Sequence, residues 1–230
     1  MKHLSFFITG TDTGVGKTLV SSAMVYALTE KNIRTAGMKP VAAGAHFEKN
    51  EWQNEDTQTL GKFSNVAIPN KLITPFLLKN AIAPHIAASL EKVNITFEHI
   101  LNCYQKITKK TDAIIVEGLG GFCVPLSDTL DSAQLAVQLG LPVVLVVGIR
   151  LGCLNHALLT VEAINVRNLK LAGWVANCID PNMLYRNENI NTLSKRLPVP
   201  LLGVIPFENA ISVANAAKYI DFSKLPRWPK

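Results

Sequence analysis

Short, continuous apolar runs alternate along the chain with longer stretches whose apolar residues recur at helical spacing. Apolar runs that do not alternate with polar residues are typical of parallel strands covered on both faces of a sheet. Six such strands are predicted, at residues 4–9, 35–39, 113–117, 143–148, 172–177 and 201–205.

The segments between these runs predict helices at 17–31, 84–91, 97–109, 131–139, 154–166 and 188–197. Pro84 suits a first helical turn, and Gly140 stands where a glycine commonly ends a helix. The repeated order of strand, helix and strand predicts an α/β fold of the P-loop NTPase type, with a mostly parallel central sheet and helices on both faces. The polar segment 46–59 is predicted to be a loop above the sheet, and 222–230 a surface extension.

Length and composition fit one domain spanning 1–230. The chain is 48% hydrophobic and 17% charged, against about a quarter charged in average soluble chains, which excludes a disordered chain. The longest apolar run, 141–149, is interrupted by a proline and is far shorter than the roughly 20 residues of a membrane span. The four cysteines are scattered, with no metal or redox spacing, so we expect a reduced, cytoplasmic protein without a membrane partner.

The net charge of +6 comes from 23 basic and 17 acidic residues. Such a surplus is compatible with nucleic acid, an anionic membrane or anionic small molecules, but a modest surface charge that aids solubility explains it most simply. Because no basic cluster with interleaved aromatic residues occurs, we do not expect nucleic acid as a partner.

The strongest local signal is the segment Gly10–Thr18, GTDTGVGKT, here called the phosphate loop. It follows a predicted strand and opens a predicted helix, where backbone N–H groups and the helix N-terminus bind phosphate. Lys17 would neutralise phosphate charge, and the Thr18 hydroxyl would ligate Mg²⁺. Five residues separate Gly10 from Gly16, one more than in the standard motif.

Three further residues are candidates for the same site. Glu117 ends an apolar strand at the carboxyl edge of the sheet, where ligands of α/β folds bind; a solvated turn is the alternative. Lys39 ends another strand at this edge, unless it is an ordinary surface lysine. Asp56 is a possible metal ligand, but a helix N-cap explains it equally well. The segment 150–156 could hold a second anion through its N–H groups, or be an ordinary loop.

Several segments together resemble one family, the dethiobiotin synthetases. These segments are Thr9–Thr18, Thr35–Ala42, Val116–Gly121, Pro125–Asp128, Leu151–His156 and Ala172–Asn177. They occur in the family's order and span most of the chain, and the long phosphate-loop spacing is a family trait. The phosphate loop is common to many ATPases, whereas Lys39-Pro-Val and Leu151-Gly-Cys-x-Asn-His are much more specific.

The resemblance implies a reaction of 7,8-diaminononanoate with CO₂ and ATP, assisted by Mg²⁺. One amine captures CO₂ as a carbamate, whose oxygen attacks the γ-phosphate to give a carbamic-phosphoric anhydride. The second amine then closes a cyclic urea and expels phosphate. Carbamate and phosphate are both anions, so the site needs fixed positive charge, which Lys17, Lys39 and Mg²⁺ would supply.

The resemblance also assigns roles to individual residues. Lys39 and Lys17 would be catalytic, and Thr18, Asp56 and Glu117 would bind Mg²⁺. The expected nucleotide-binding residues are Thr13, Gly14, Val15, Gly16, Lys17, Thr18, Asp56, Glu117, Gly118, Leu119, Gly120, Asn177, Pro206, Phe207 and Glu208. The expected substrate-binding residues are Ala43, Gly152, Cys153, Leu154 and Asn155, the last four holding the distal carboxylate across a homodimer interface.

The chain departs from the family pattern at two positions. Many members carry Ser where this chain has Ala43, so a side-chain hydrogen bond to the substrate is lost. Some members carry Glu in place of Gly14, so only backbone contacts are expected there. The alignment around 207–216 contains a gap, which leaves the ribose contacts open.

Two other ATPase classes share this scaffold. Partition-type ATPases commonly carry an additional lysine early in the phosphate loop, where this chain has Thr11, Asp12 and Thr13. The synthetase half of an amidotransferase needs a glutaminase domain, for which 230 residues leave no room, and no cysteine lies in a nucleophile-elbow context.

Overall fold

The computed structural model describes residues 3–230. In chain order, its strands are β1 (Leu4–Gly10), β2 (Thr35–Met38), β3 (Val41–Ala42), β4 (His46–Glu48), β5 (Glu51–Gln53), β6 (Phe76–Leu77), β7 (Ala113–Glu117), β8 (Val143–Ile149), β9 (Leu171–Cys178) and β10 (Leu201–Ile205). Its helices are α1 (Lys17–Thr29), α2 (Glu55–Phe63), α3 (Asn70–Ile73), α4 (Pro84–Leu90), α5 (Phe97–Thr108), α6 (Ser132–Leu139), α7 (Cys153–Val166), α8 (Arg186–Arg196) and α9 (Val213–Lys218), followed by a 3₁₀ turn at Phe222–Lys224.

The central sheet has six strands in the order β10-β9-β8-β1-β7-β2, and every neighbouring pair is parallel. All residues of β8 and β9 are buried, as expected when helices cover both faces. The six predicted strands and the α/β fold class are therefore confirmed. Each predicted helix is also present, with Pro84 in the first turn of α4 and Gly140 ending α6 in the left-handed conformation.

Helices cover the two faces of the sheet in separate layers. Residues of α4, α5, α6, α7 and α8 pack into the core of one face, and residues of α1, α2 and α9 into the core of the other. In α1, for example, Val20, Met24 and Leu28 recur every four residues and are fully buried. This spacing places one side of the helix against the sheet.

The segment 46–59 is not a loop, so that prediction was wrong. Strands β4 and β5 pair as an antiparallel hairpin, and Lys49 and Asn50 at its tip both have positive φ, as in a type I′ turn. The strands are short and mostly exposed, so they carry no apolar alternation that could reveal them. Helix α2 follows directly, and its N-cap is Asn54 rather than Asp56.

The segment 222–230 is also more than a surface extension. Phe222 and Leu225 are buried, and the Trp228 ring stacks on Phe222 with centroids 4.7 Å apart. Within residues 3–230 no helix has both the length and the apolar character needed to cross a membrane. All four cysteines are free thiols.

Candidate active site

The phosphate loop joins the end of β1 to the start of α1, at the carboxyl edge of the sheet. Its geometry depends on Gly16, which caps α1 with φ 94°, a left-handed conformation that is unfavourable for residues with a Cβ. A Cβ at this position would also collide with the side-chain amide of Asn177. That amide donates a hydrogen bond of 2.9 Å to the Val15 carbonyl, so Asn177 fastens the loop to the end of β9.

Lys17, the first residue of α1, is 6% exposed. Its ammonium donates to the Asp12 carbonyl at 2.8 Å. Burial and the nearby charge of Lys39 lower the pKa of Lys17 to about 8, although Glu117, Asp56 and Asp12 act in the opposite direction. The phosphate loop therefore holds a cation that lacks a strong counter-charge and can be satisfied by an anionic ligand.

Lys39 lies just beyond the end of β2, only 4% exposed. Its ammonium donates to the Glu117 carboxylate at 2.6 Å, to Asp56 at 2.8 Å and to the Gly118 carbonyl at 3.0 Å. Burial acts to lower the pKa of Lys39, but the charges and hydrogen bonds of the two carboxylates outweigh it and raise that pKa. The two carboxylates therefore favour the charged ammonium form of Lys39.

Asp56 is the matching anion. Burial acts to raise the pKa of its carboxyl, but the charge of Lys39 and hydrogen bonds from Lys39 and Thr18 hold that pKa below its ordinary value. Asn54 positions this residue. Its side-chain oxygen accepts hydrogen bonds from the N–H groups of Asp56 and Thr57, and its side-chain amide donates to the Ala43 carbonyl at 3.2 Å. Asn54 therefore joins a predicted metal ligand to a predicted substrate residue.

Three oxygens converge in a way that suits Mg²⁺. The Thr18 hydroxyl lies 2.7 Å from an Asp56 oxygen and 2.9 Å from a Glu117 oxygen, but a hydroxyl has one proton and can donate to only one of them. The other Glu117 oxygen is buried, with no hydrogen-bond partner in the described part of the chain. Hydroxyl and carboxylate oxygens are the ligands Mg²⁺ prefers, so this set fits the ion. Among residues 3–230, no group of three or more His, Cys, Asp or Glu side chains is placed so that it could hold a metal ion.

A cavity of about 810 Å³ opens at the carboxyl edge of the sheet. Its lining includes many of the predicted site residues, namely Thr13, Gly14, Gly16, Lys17, Thr18, Lys39, Ala43, Asp56, Glu117, Leu119 and Gly120. Asp12 and the segment Ala81–Pro84 also line it but were not predicted. Ala81–Pro84 carries no charged group or glycine motif that could have marked it. Asn54 was also not predicted, although the preference for Asn at a helix N-cap could have indicated it.

The remaining predicted residues lie around this cavity and not in its lining. Val15 is a buried residue of the phosphate loop, and Gly118 contacts Lys39 through its carbonyl. Asn177 pairs in register with Ile205, which places it beside the segment 206–208 that follows β10. Gly152–Asn155 form the start of α7, which no side chain caps.

Chemically, this arrangement combines a buried cluster of charges with a loop built to hold phosphate. Two lysines, three acidic residues and two threonines line one cavity together with apolar residues. Strongly perturbed groups that share a cleft are typical of an active site. The site can hold a polyphosphate beside a second anion and stabilise negative charge that develops between them.

Comparisons of the sequence with known proteins found matches over most of the chain. A protein-family profile described as an AAA domain matches residues 5–215. The ATP-dependent dethiobiotin synthetase BioD of Janthinobacterium sp. (strain Marseille) is 51% identical over 228 residues, which cover 97% of each chain.

Solved structures resemble the chain in fold. A chain of the MinC:MinD cell division complex of Aquifex aeolicus has a TM-score of 0.57 at 15% identity, over 95% of this chain and 87% of that chain. MinD of Pyrococcus horikoshii OT3, complexed with Mg-ADP, has a TM-score of 0.55 at 17% identity, over 99% and 90%. At such identities the likeness concerns the fold alone.

Proposed function

Because the chain belongs to the dethiobiotin synthetase family, we propose that it catalyses the ATP- and Mg²⁺-dependent conversion of 7,8-diaminononanoate and CO₂ into dethiobiotin. It is a cyclo-ligase of biotin biosynthesis that releases ADP and phosphate. The observation that supports this most directly is the buried Lys39 ammonium, which lies between two carboxylates in the same cavity as the phosphate loop.

The reaction begins when one amine of the substrate adds to CO₂, forming an N–C bond and losing a proton to give a carbamate. A carbamate oxygen then attacks the γ-phosphorus of ATP, and the bond to ADP breaks. Two anions must approach each other in this step, so the fixed charges of Lys17 and Lys39 lower the barrier. The two carboxylates favour the ammonium form of Lys39, so in this proposal Lys39 acts through its charge and its hydrogen bonds.

The second amine closes the ring. Its nitrogen attacks the carbonyl carbon of the mixed anhydride and loses a proton as the N–C bond forms, and the C–O bond to phosphate breaks to release phosphate. Holding the amine and the anhydride in one cavity makes this step effectively intramolecular. Apolar wall residues such as Ala43 and Ile82 offer the aliphatic part of the substrate a surface that excludes water. Ala43 has no hydroxyl with which to hold the reacting end of the substrate.

Thr18, Asp56 and Glu117 are the residues that would hold Mg²⁺. The bound ion supplies positive charge against the phosphates of ATP. The nucleotide would lie along the phosphate loop with its base towards Asn177 and the segment 206–208. The Asn177 amide nitrogen donates to the Val15 carbonyl. The carbonyl oxygen of the same amide has no hydrogen bond within residues 3–230 and could accept one from an adenine amino group.

We also propose a homodimer in which the start of α7 holds the distal carboxylate of the substrate bound by the partner. Leu159 and Val166 on α7 are 56% and 74% exposed, and Leu151 beside the N-terminus of this helix is 91% exposed. On α4, which packs on the same face of the sheet, Ile86 and Leu90 are exposed as well. Exposed apolar side chains are typical of an interface when they form a patch, and Leu151 directly precedes the predicted carboxylate site at 152–155.

A substitution of Leu159 by Glu tests the dimer. The charge should prevent burial of this surface, so sedimentation should show monomers and the apparent KM for diaminononanoate should rise. A variant that stays dimeric with an unchanged KM would contradict this interface.

The proposed reaction is tested by measuring phosphate release from ATP with diaminononanoate and bicarbonate, separately and together, and by detecting dethiobiotin by mass spectrometry. We expect phosphate release that requires both substrates and equals dethiobiotin in amount. ATP hydrolysis that does not depend on either compound, or that DNA stimulates, would contradict the proposal and favour a partition-type ATPase. We place the reaction in the cytoplasm, which the four free cysteines support.

A further inference from the structure

An ion pair joins the phosphate loop to the strand next to β1 in the sheet. Arg150, which directly follows β8, places a guanidinium nitrogen 2.6 Å from a carboxylate oxygen of Asp12. Asp12 is the third residue of the phosphate loop. Both residues lie in segments that the sequence indicates as anion-binding, but it assigned neither side chain a role, and the pair connects positions 138 residues apart.

Asp12 also organises the loop locally. Its other carboxylate oxygen accepts a hydrogen bond of 2.7 Å from the Thr13 N–H group, and its main-chain carbonyl accepts the Lys17 ammonium at 2.8 Å. A carboxylate in a loop that binds polyphosphate is electrostatically unfavourable for the ligand. Arg150 compensates this charge while leaving the hydrogen bond to Thr13 intact.

The main chain of Arg150 contributes the second half of the connection. Its carbonyl accepts a hydrogen bond of 3.0 Å from the Cys153 N–H group, in the first turn of α7. The side chain of Arg150 thus contacts the phosphate loop, and its main chain contacts the helix start proposed to hold the substrate carboxylate. One residue links the two anion-binding segments of the protomer.

We propose that Arg150 is a positioning residue of this enzyme. Through Asp12 it fixes the conformation of the phosphate loop and cancels its negative charge, and it connects that loop to the start of α7. This inference rests on the proposed function for the assignment of ATP to the phosphate loop. In this role Arg150 affects the nucleotide through Asp12 and does not contact the nucleotide itself.

A purely stabilising role is a poor explanation of the pair. The side chains of Arg150 and Asp12 are 44% and 45% exposed, and ion pairs this exposed contribute little to folding. The chain offers a matched control in Arg34 and Asp112, an even more exposed pair with a comparable distance of 2.8 Å. These two residues precede β2 and β7 and therefore lie at the opposite edge of the sheet.

The test compares Arg150→Ala, Arg150→Lys and the control Arg34→Ala by steady-state kinetics and by calorimetric titration with ADP. For Arg150→Ala we expect KM for ATP and Kd for ADP to rise about five- to tenfold, a size usual for coupled neighbouring charges. The kcat should change less than about twofold, because the reacting atoms are not contacted. Arg150→Lys should recover part of the affinity, and Arg34→Ala should match the wild type in both measurements.

A double variant decides how Arg150 acts. Asp12→Asn keeps the acceptor for Thr13 and removes the charge, so adding it to Arg150→Ala should restore most of the affinity for ADP. An unchanged affinity in Arg150→Ala, an equal loss in Arg34→Ala, or no recovery in the double variant would each overturn the proposal. Absence of dethiobiotin in wild-type assays would instead contradict the proposed function, since ADP titration does not depend on turnover.

Discussion

Strand β2 has a basic residue at each end, and its neighbour β7 has a carboxylate at each end. The two strands therefore form one ion pair at each edge of the sheet, and the two pairs differ in burial. At the carboxyl edge, Lys39 and Glu117 are 4% and 0% exposed and lie 2.6 Å apart. At the amino edge, Arg34 and Asp112 are 62% and 52% exposed at 2.8 Å. The two ion pairs thus have similar charges and similar distances, but one is shielded from solvent and the other is exposed to it.

This difference shows that burial, and not charge pairing, distinguishes the active edge. Removing charges from water is costly, and buried pairs are often no more stabilising than apolar residues of the same size. A cluster that keeps two carboxylates and a buried ammonium is therefore better explained by chemistry than by stability. The exposed pair at the amino edge is screened by solvent and has no comparable effect on a ligand.

The largest difference between the two edges should appear when each basic residue is removed. We expect Lys39→Ala to lower kcat by about 10²–10³-fold, the usual size for loss of a group that stabilises transition-state charge. Arg34→Ala should leave kcat unchanged. Dethiobiotin formation measures both, and circular dichroism confirms folding.

Lys39→Met serves as a second variant, because it keeps most of the side-chain volume and removes only the charge. Normal turnover in a folded Lys39→Met or Lys39→Ala enzyme would show that the buried ammonium is not needed for the reaction.

The two edges of the sheet also differ in what surrounds a left-handed glycine. Gly16 at the carboxyl edge and Gly140 at the amino edge both have left-handed conformations, with φ of 94° and 61°. A side chain at either position costs about 1–2 kcal/mol, but only at Gly16 would it displace Asn177. We expect Gly16→Ala to weaken ADP binding at least about tenfold, equivalent to 1.4 kcal/mol.

Gly140→Ala is the matched control. It should lower the melting temperature and leave ADP affinity unchanged, as measured by differential scanning fluorimetry and calorimetry. Equal losses of ADP affinity in both variants would mean that the conformational strain, and not the contact with Asn177, limits binding.

The smallest expected effect is a pH dependence confined to the carboxyl edge. The pKa of Lys17 is lowered to about 8, so the free site is charged at pH 7 and loses this charge as the pH rises through 8. An anionic nucleotide favours the charged form, so ADP affinity should fall about tenfold between pH 7 and 9, since each pKa unit corresponds to 1.36 kcal/mol. Calorimetric titration of ADP across this range measures the change.

Lys17→Arg provides the control for this titration, because a guanidinium stays protonated at these pH values. Its ADP affinity should vary little from pH 7 to 9. A wild-type affinity that is equally flat would show that Lys17 is not the group that titrates.

The sequence predicted the central sheet well, because strands buried on both faces must be continuous apolar runs and cannot be mistaken for exposed loops. It failed for β4 and β5, whose exposed residues carry no such pattern, and for α9. At the site, the phosphate loop was identifiable because its glycines and lysine have fixed spacing. The roles of the Asn54 and Arg150 side chains were missed. Arg150 contacts Asp12, which is 138 residues away in the chain. Asn54 joins Asp56 to Ala43 only in the folded chain.

The sequence by itself determined the fold class, the phosphate loop and, by resemblance, the family. These depend on local periodicity and on motifs of neighbouring residues, both of which can be read along the chain. Only the tertiary structure decided that Lys39, Asp56 and Glu117 meet, that Lys39 is buried while Arg34 is exposed, and that Asn177 and Arg150 hold the phosphate loop. Those facts depend on which strand ends are neighbours and how much water reaches them, and both are properties of the folded chain.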